Sequence, residues 1–277
     1  MQNQINKIIA VASGKGGVGK STIAVNLALA LAARDMAVGM LDADIYGPSQ
    51  PSMLATQGLR PDFQEGKLIP LYSHGIQSIS MGNLMDEYAP VIWRGPMLGK
   101  AMQQLLHDTC WGKLDYLVVD LPPGTGDVQI SLCQKIPVSG AVIVTTPQDL
   151  ALLDVRRACE MFKKLNVPLL GIVENMSHYH CSQCGHKEAL FGMGGGDKLA
   201  EEYEAALLAK VPFSLAIREM TDTGCPPIVQ DPNSTTALLF KEIANRLAET
   251  LTLQEKISGK DYSTIFPRIV VESKTVT

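Results

Sequence analysis

Two groups of residues in this chain carry chemistry in their type and spacing. The first is Gly14-Lys15-Gly16-Gly17-Val18-Gly19-Lys20-Ser21-Thr22, where Gly14, Gly19, Lys20 and Ser21 fill every fixed position of G-x-x-x-x-G-K-[ST]. Triphosphate oxygens need many N–H donors at short range, and a glycine-rich backbone can approach them without a Cβ in the way. A helix that follows such a loop adds its free N–H groups and the positive end of its dipole. Lys20 is then placed for the β- and γ-phosphates of ATP, and the Ser21 hydroxyl for one Mg²⁺ position. The second group is Cys181 and Cys184, within His178-Tyr179-His180-Cys181-Ser182-Gln183-Cys184-Gly185-His186. Two thiolates three residues apart on a tight turn converge on one metal ion or cluster. A four-thiolate site needs two more, and the chain has no second C-x-x-C. Two completions are open: a pair of chains pooling four cysteines around a 4Fe–4S cluster, or one chain binding zinc with histidines such as His178 and His186. A thioredoxin-like redox dithiol would open a helix after a first strand, which this motif does not do.

The elements that must position these groups are legible as apolar runs. Ile8, Ile9 and Val11 mark a buried strand before the glycine loop, and Ile23, Leu27 and Leu31 a helical stripe after it. Val38 to Leu41 reads as a strand ending in Asp42-Ala43-Asp44, with a turn-rich loop, Ile45 to Pro51, beyond. Tyr116 to Leu121 is a second clear strand, with Asp120 at its end in the Walker B pattern, a carboxylate that holds Mg²⁺. Asp127, past Pro122-Pro123-Gly124-Thr125-Gly126, is a candidate N-cap of the next helix. Further strands are expected at Ala141–Thr145, Leu169–Val173 and Leu207–Val211, and helices at Ala151–Leu165, Asp197–Tyr203 and Thr235–Leu251. A helix is expected to start near Pro96 and run to about His107, just after Trp93-Arg94. Between Gln57 and Pro90, the runs Leu68–Leu71 and Ile76–Ile79 predict a hairpin or insertion beside the main sheet. Phe191-Gly192-Met193-Gly194-Gly195-Gly196 reads as a hinge. Strands alternating with helices predict an α/β fold, a single domain with a mostly parallel sheet and helices on both faces. That domain is expected over residues 1–251, with a loosely held tail over 252–277.

Composition narrows the function classes. The 277 residues are 46% hydrophobic, enough for a sizeable core, and 24 basic against 28 acidic residues give a net charge of −4. That balance gives no sign of a general nucleic-acid binder. No apolar run approaches a membrane span, and the polar N-terminus MQNQINK does not read as a signal peptide. No nucleic-acid or membrane partner and a cytoplasmic location are therefore expected. Six cysteines do not form a secreted disulfide framework; Cys110, Cys133 and Cys159 sit singly among apolar residues and read as core or helix positions.

Lys15, directly after Gly14, is not required by an ordinary phosphate loop. GKGGVGKS resembles the deviant Walker A loop of the MinD/ParA/nitrogenase iron-protein class of ATPases. The resemblance implies that Lys15 reaches across an ATP-bound homodimer to the partner's nucleotide, that Asp44 orients the attacking water, and that Asn175, at the end of the Leu169–Val173 strand, reads adenine. A carboxamide has one donor and one acceptor side for that purpose. With LDADIYGPS, WRGPM, LDYLVVDLPPGTGD, TTPQDLALLDV and ENMSHYHCSQCGH followed by FGMGGG, the match extends from about Asn6 to about Leu247 and is similar to the Mrp/ApbC family of iron–sulfur carrier ATPases. This resemblance implies slow ATP hydrolysis and a 4Fe–4S cluster held between two subunits by Cys181 and Cys184 of each. The cluster would be received from donors and passed to apo iron–sulfur proteins. Two other classes stay open: a ParA- or MinD-like positioning switch with the same ATP dimer and no metal, and a nucleotide-binding protein stapled by zinc.

Overall fold

The computed structural model describes residues 3–84, 95–181 and 183–258. In chain order the elements are β1 (Gln4–Ser13), α1 (Lys20–Ala32), β2 (Val38–Asp42), α2 (Gln50–Met53), β3 (Phe63–Gln64), β4 (Lys67–Leu68), β5 (Leu71–Ser73), β6 (Ile76–Ser80), α3 (Gly95–Asp108), β7 (Lys113–Asp120) and α4 (Asp127–Lys135). They continue with β8 (Gly140–Thr145), α5 (Asp149–Lys164), β9 (Leu169–Glu174), β10 (Tyr179–His180), β11 (Lys187–Glu188), α6 (Gly195–Glu202), β12 (Leu207–Lys210), α7 (Leu215–Asp222), α8 (Pro227–Gln230) and α9 (Thr235–Ser258).

Eight strands form one sheet in the order β12-β9-β8-β1-β7-β2-β6-β5. Every pair in it is parallel except β5 with β6. Helices cover both faces, so the central strands are apolar on both sides and read as continuous runs. The two-residue period is visible in β1. Ile9 and Val11 pack with Leu27 and Leu31 of α1 and Phe240 and Leu247 of α9. Ile8, Ala10 and Ala12 face the other layer, with Trp111 and with Phe162 of α5. Because β1 lies between β7 and β8, the loops leaving β1, β2 and β7 open side by side at the C-terminal edge, where a parallel sheet gathers its ligands.

Three expectations change. The strand expected at Leu68–Leu71 is split in two at Pro70, which has no N–H to give a ladder. Lys67–Leu68 closes a small hairpin with β3, while β5 and β6 become an edge of the main sheet itself, β6 pairing parallel with β2. Each hairpin turns on two residues of positive φ, Glu65-Gly66 and His74-Gly75, the type I′ pattern that suits strand twist. Asp127 is the first residue of α4, with Gly126 at the cap position, so it does not serve as N-cap. The closing helix continues through Ser258, past the boundary expected at residue 252. Trp93 and Arg94 lie outside the described residues, as do residues 259–277. Among the described residues no helix is long and apolar enough to cross a membrane.

Candidate functional site

The glycine loop joins β1 to α1, whose first residue is Lys20. Its glycines answer to different constraints. A Cβ at Gly14 would lie 2.3 Å from the backbone carbonyl carbon of Asp154, so the loop can pass α5 only without a side chain there. Gly17 and Gly19 hold φ of 79° and 82°, the left-handed region that glycine enters freely. Gly16 meets nothing within 4 Å. The loop borders a cleft of about 220 Å³, lined also by Ser13, Lys15, Lys20, Ser21, Thr22, Asp44, Ser49 and Pro123.

Opposite charges are concentrated on one wall of this cleft. Lys20 is buried, its Nζ paired with Asp120 Oδ1 and 3.9 Å from Asp44 Oδ2. The other Asp120 oxygen accepts from Gln50 Nε2 at 2.9 Å, and the same amide donates to the Ser21 carbonyl at 3.1 Å. Asp42 and Asp120 are register partners on β2 and β7, both fully buried. Asp42 accepts from the Asp44 and Gln50 backbone N–H groups at 3.1 and 3.3 Å and from Ser80 Oγ at 2.9 Å. Burial, then the neighbouring Asp120 charge, push its carboxyl up to about 7, against those hydrogen bonds. Burial also raises the Asp44 carboxyl, opposed by Lys20 and assisted by Asp120.

The donor set suits a hard divalent cation. Ser21 Oγ lies beside Lys20 Nζ, and buried Asp44 Oδ1 and Ser49 Oγ have no hydrogen-bond partner. All of these, with Asp120, are oxygen ligands of the kind Mg²⁺ takes beside phosphate. Lys15 is half-buried at the cleft, its Nζ 3.4 Å from Gln148 Oε1 just before α5.

The β9 strand ends on the far side of the loop. Asn175 N donates to Thr145 O at 2.7 Å, and Asn175 Nδ2 donates to Val18 O at 2.8 Å. Its carboxamide therefore lies on the phosphate-loop backbone. Beyond it the β10–β11 hairpin carries the cysteines. Cys181 N donates to His186 O and Gly185 N to Cys181 O, closing the turn with Gly185 at φ 72°. Hydrogen bonds from the Cys184 and Gln183 backbone N–H groups, and one with the Cys184 side chain, lower the Cys181 thiol below its ordinary pKa. This favours the thiolate that binds metal. Cys181 is half-exposed and Cys184 exposed.

The histidines do not join them. His178 Nδ1 is engaged by Ser177 Oγ at 2.7 Å and its ring meets His180 edge-on at 4.8 Å. Among the described residues, no three His, Cys, Asp or Glu gather to hold a metal ion. The one-chain zinc site with His178 and His186 is thus not assembled. Cys133 and Cys159 are buried, and burial pushes both thiols up to about 12. Cys110, expected as a core or helix position, is half-buried just past α3, and Cys225 is half-buried past α7.

A family model described as ParA: NUBPL iron-transfer P-loop NTPase matches residues 4–248. The chain belongs to this family. An iron–sulfur cluster carrier protein of Pseudomonas fragi is 56% identical over 87% of this chain and 84% of its own length. The iron–sulfur cluster transfer protein NUBPL of Mus musculus is 52% identical, covering 89% and 78%. A nucleotide-binding protein from Archaeoglobus fulgidus, solved in complex with ADP, superposes with a TM-score of 0.71 at 32% identity, over 95% of this chain and 93% of that one. The cell division ATPase MinD of Pyrococcus furiosus has a TM-score of 0.67 at 22% identity over 88% and 99%, a likeness of fold alone.

In this NUBPL-type P-loop NTPase the structure draws Lys15, Lys20, Ser21, Thr22 and Asp44 around one cleft, with Asp120 behind Lys20. Asn175 rests on the back of the loop, and the cysteines stand apart on their hairpin. Sequence reasoning noted Asp42 with Asp44 at the end of a strand but gave it no role of its own, and it missed Ser49, Gln50 and Gln148. Gln50 and Gln148 had no signal, since their roles come from contacts made across the sheet edge.

Proposed function

We propose that the chain binds and slowly hydrolyses ATP, and that it carries a 4Fe–4S cluster, held between two copies by Cys181 and Cys184 of each, to apo iron–sulfur proteins. The observation that carries this reading is the exposed thiol pair, with Cys181 biased toward thiolate, on a chain with a phosphate loop. It supplies half of a four-thiolate set and finds no third ligand among the described residues of its own chain. The iron–sulfur cluster carrier and transfer proteins more than 50% identical to this chain support it. The cytoplasm is the proposed compartment, because exposed thiols persist there in the reduced form.

On this reading the Lys20 ammonium exchanges Asp120 for the β- and γ-phosphates. Asp120 and Ser21 would hold Mg²⁺, which would supply neutralisation of charge on the phosphoryl oxygens. The N–H groups of the loop and of the α1 N-terminus cradle the phosphates. Asp44, whose Oδ1 is unpartnered, orients the attacking water. Lys15 stabilises the γ-phosphate bound by the other copy of a homodimer, and Asn175 offers its carboxamide to adenine. Catalysis of this kind is mostly positioning and charge stabilisation.

Anaerobic reconstitution followed by iron, sulfide and mass measurement tests the proposal. About four irons per dimer are expected, lost in Cys181→Ala and in Cys184→Ala, with transfer to an apo acceptor following the same pattern. A colourless protein holding only zinc sinks it.

A further inference from the structure

The segment between the nucleotide cleft and the cysteines is tied down at almost every step. Asn175 Nδ2 donates to Val18 O at 2.8 Å. A Cβ built on Gly19 would come within 2.2 Å of that same nitrogen, so the carboxamide is flush against the loop. The Val18 carbonyl and the Gly19 N–H belong to one planar trans peptide, and no peptide in the described chain is cis. Holding the carbonyl on the Asn175 side therefore turns the Gly19 N–H to the opposite side. Gly19 lines the phosphate cleft.

From Asn175 the chain runs through Met176, a non-glycine residue at φ 55°. Ser177 N and Oγ both donate to Val211 O, at 2.9 and 3.2 Å. His178 O accepts from Phe213 N at 2.7 Å, and Tyr179 bridges to Phe213. Cys181 follows directly on β10. The returning limb is fixed as well: the Glu174 carboxylate, buried at the end of β9, accepts from Gly196 N at the start of α6. These hydrogen bonds make a contiguous path of tethered backbone between the phosphate loop and the cysteine turn.

We propose that Asn175 is a positioning residue that couples the two sites: its carboxamide orients the Val18–Gly19 peptide toward phosphate and links that peptide, through the Met176–His180 strap, to the cysteine turn. The proposal rests on the cleft taking a triphosphate and the cysteines taking the metal cargo. It differs from base reading, because it acts on phosphate and needs no adenine.

The test uses the full chain, free of metal and at a concentration where it is monomeric by mass, so that dimer closure plays no part. N-ethylmaleimide labelling of Cys181 and Cys184, localised by mass spectrometry, is followed with and without Mg-tripolyphosphate or MgATP. A several-fold change in labelling rate on adding either ligand is expected for the wild type. In Asn175→Ala this response is lost, and affinity falls about tenfold for Mg-tripolyphosphate, the scale of one lost hydrogen bond, and by at least as much for MgATP. Unchanged tripolyphosphate affinity in the variant overturns the proposal in favour of a base-reading role. A wild type whose labelling ignores both ligands, or a variant that keeps the response, overturns the coupling. Should Asn175→Ala fail to fold, the near-isosteric Asn175→Leu, which fills the space without the Nδ2 donor to Val18 O, is measured in its place with the same expected and overturning results. Iron and sulfide content, measured separately, decides the carrier reading.

Discussion

Lys20 is the residue on which the charge balance of the cleft turns. Its ammonium is buried against Asp120 and near Asp44, while Asp42 and Asp120 face each other across neighbouring strands. Removing one member of a buried pair leaves the other charge uncompensated, at a cost of about 3–5 kcal/mol. Lys20→Ala should therefore lose MgATP binding and also lower the melting temperature. Asp120→Asn keeps the shape and the Gln50 contact but leaves the Lys20 ammonium without its buried partner, so it too should lower the melting temperature, and it should lose Mg²⁺-dependent turnover. Differential scanning fluorimetry with nucleotide titration checks both. Asp42 makes a separate prediction. Its folded pKa of about 7 lies above the ordinary carboxylate value of 3.8, so in that interval the native state binds the extra proton. Its contribution is favourable below the lower value and is lost as pH rises through the upper one. Denaturant unfolding should show stability falling between about pH 4 and 7 by an amount that Asp42→Asn removes. A slope identical in the variant would reject that assignment.

At the scale of elements, the phosphate loop is as much a packing problem as a binding one. Gly14 passes over the Asp154–Val155 backbone of α5 at a distance no side chain tolerates, whereas Gly16 faces open space. Gly14→Ala should force the loop from α5, destabilise the fold by about 1–3 kcal/mol or more, and abolish nucleotide binding. Gly16→Ala should fold with an unchanged melting temperature. Thermal melts of the two variants side by side measure the contrast, and equal melts would show that the loop yields at Gly14. The hairpin of β10 and β11 works differently. It is a short, exposed ribbon tied by its turn and by the Phe213 contacts, and it carries the two thiols of the proposed cluster site.

For the whole molecule the decisive question is the second copy. Lys15 stands at the cleft with a 3.4 Å contact to Gln148 among the described residues, a long and weak hydrogen bond that a γ-phosphate can replace. Lys15→Ala should bind MgATP with near wild-type affinity yet fail to dimerise and fail to turn over, as read by light scattering and phosphate release. A variant that hydrolyses ATP at the wild-type rate would remove Lys15 from the catalytic scheme.

Much of this was legible without coordinates because local chemistry carries it. The phosphate loop is a run of contiguous residues whose glycines and lysine have no cheaper explanation, and the strands beside it are buried on both faces, so each reads as an unbroken apolar run. The Cys181–Cys184 spacing is likewise a short-range property. Tertiary structure alone decided what depends on residues far apart in sequence. It joined the β5–β6 hairpin, expected as a hairpin or insertion beside the main sheet, to the sheet itself, because the partner of β6, β2, lies more than thirty residues earlier. It set Asp42 against Asp120 and Gln50 between Asp120 and Ser21, since carboxylates on separate strands meet only through register. It also laid Asn175 on the back of Val18, a contact spanning 157 positions that no sequence period encodes.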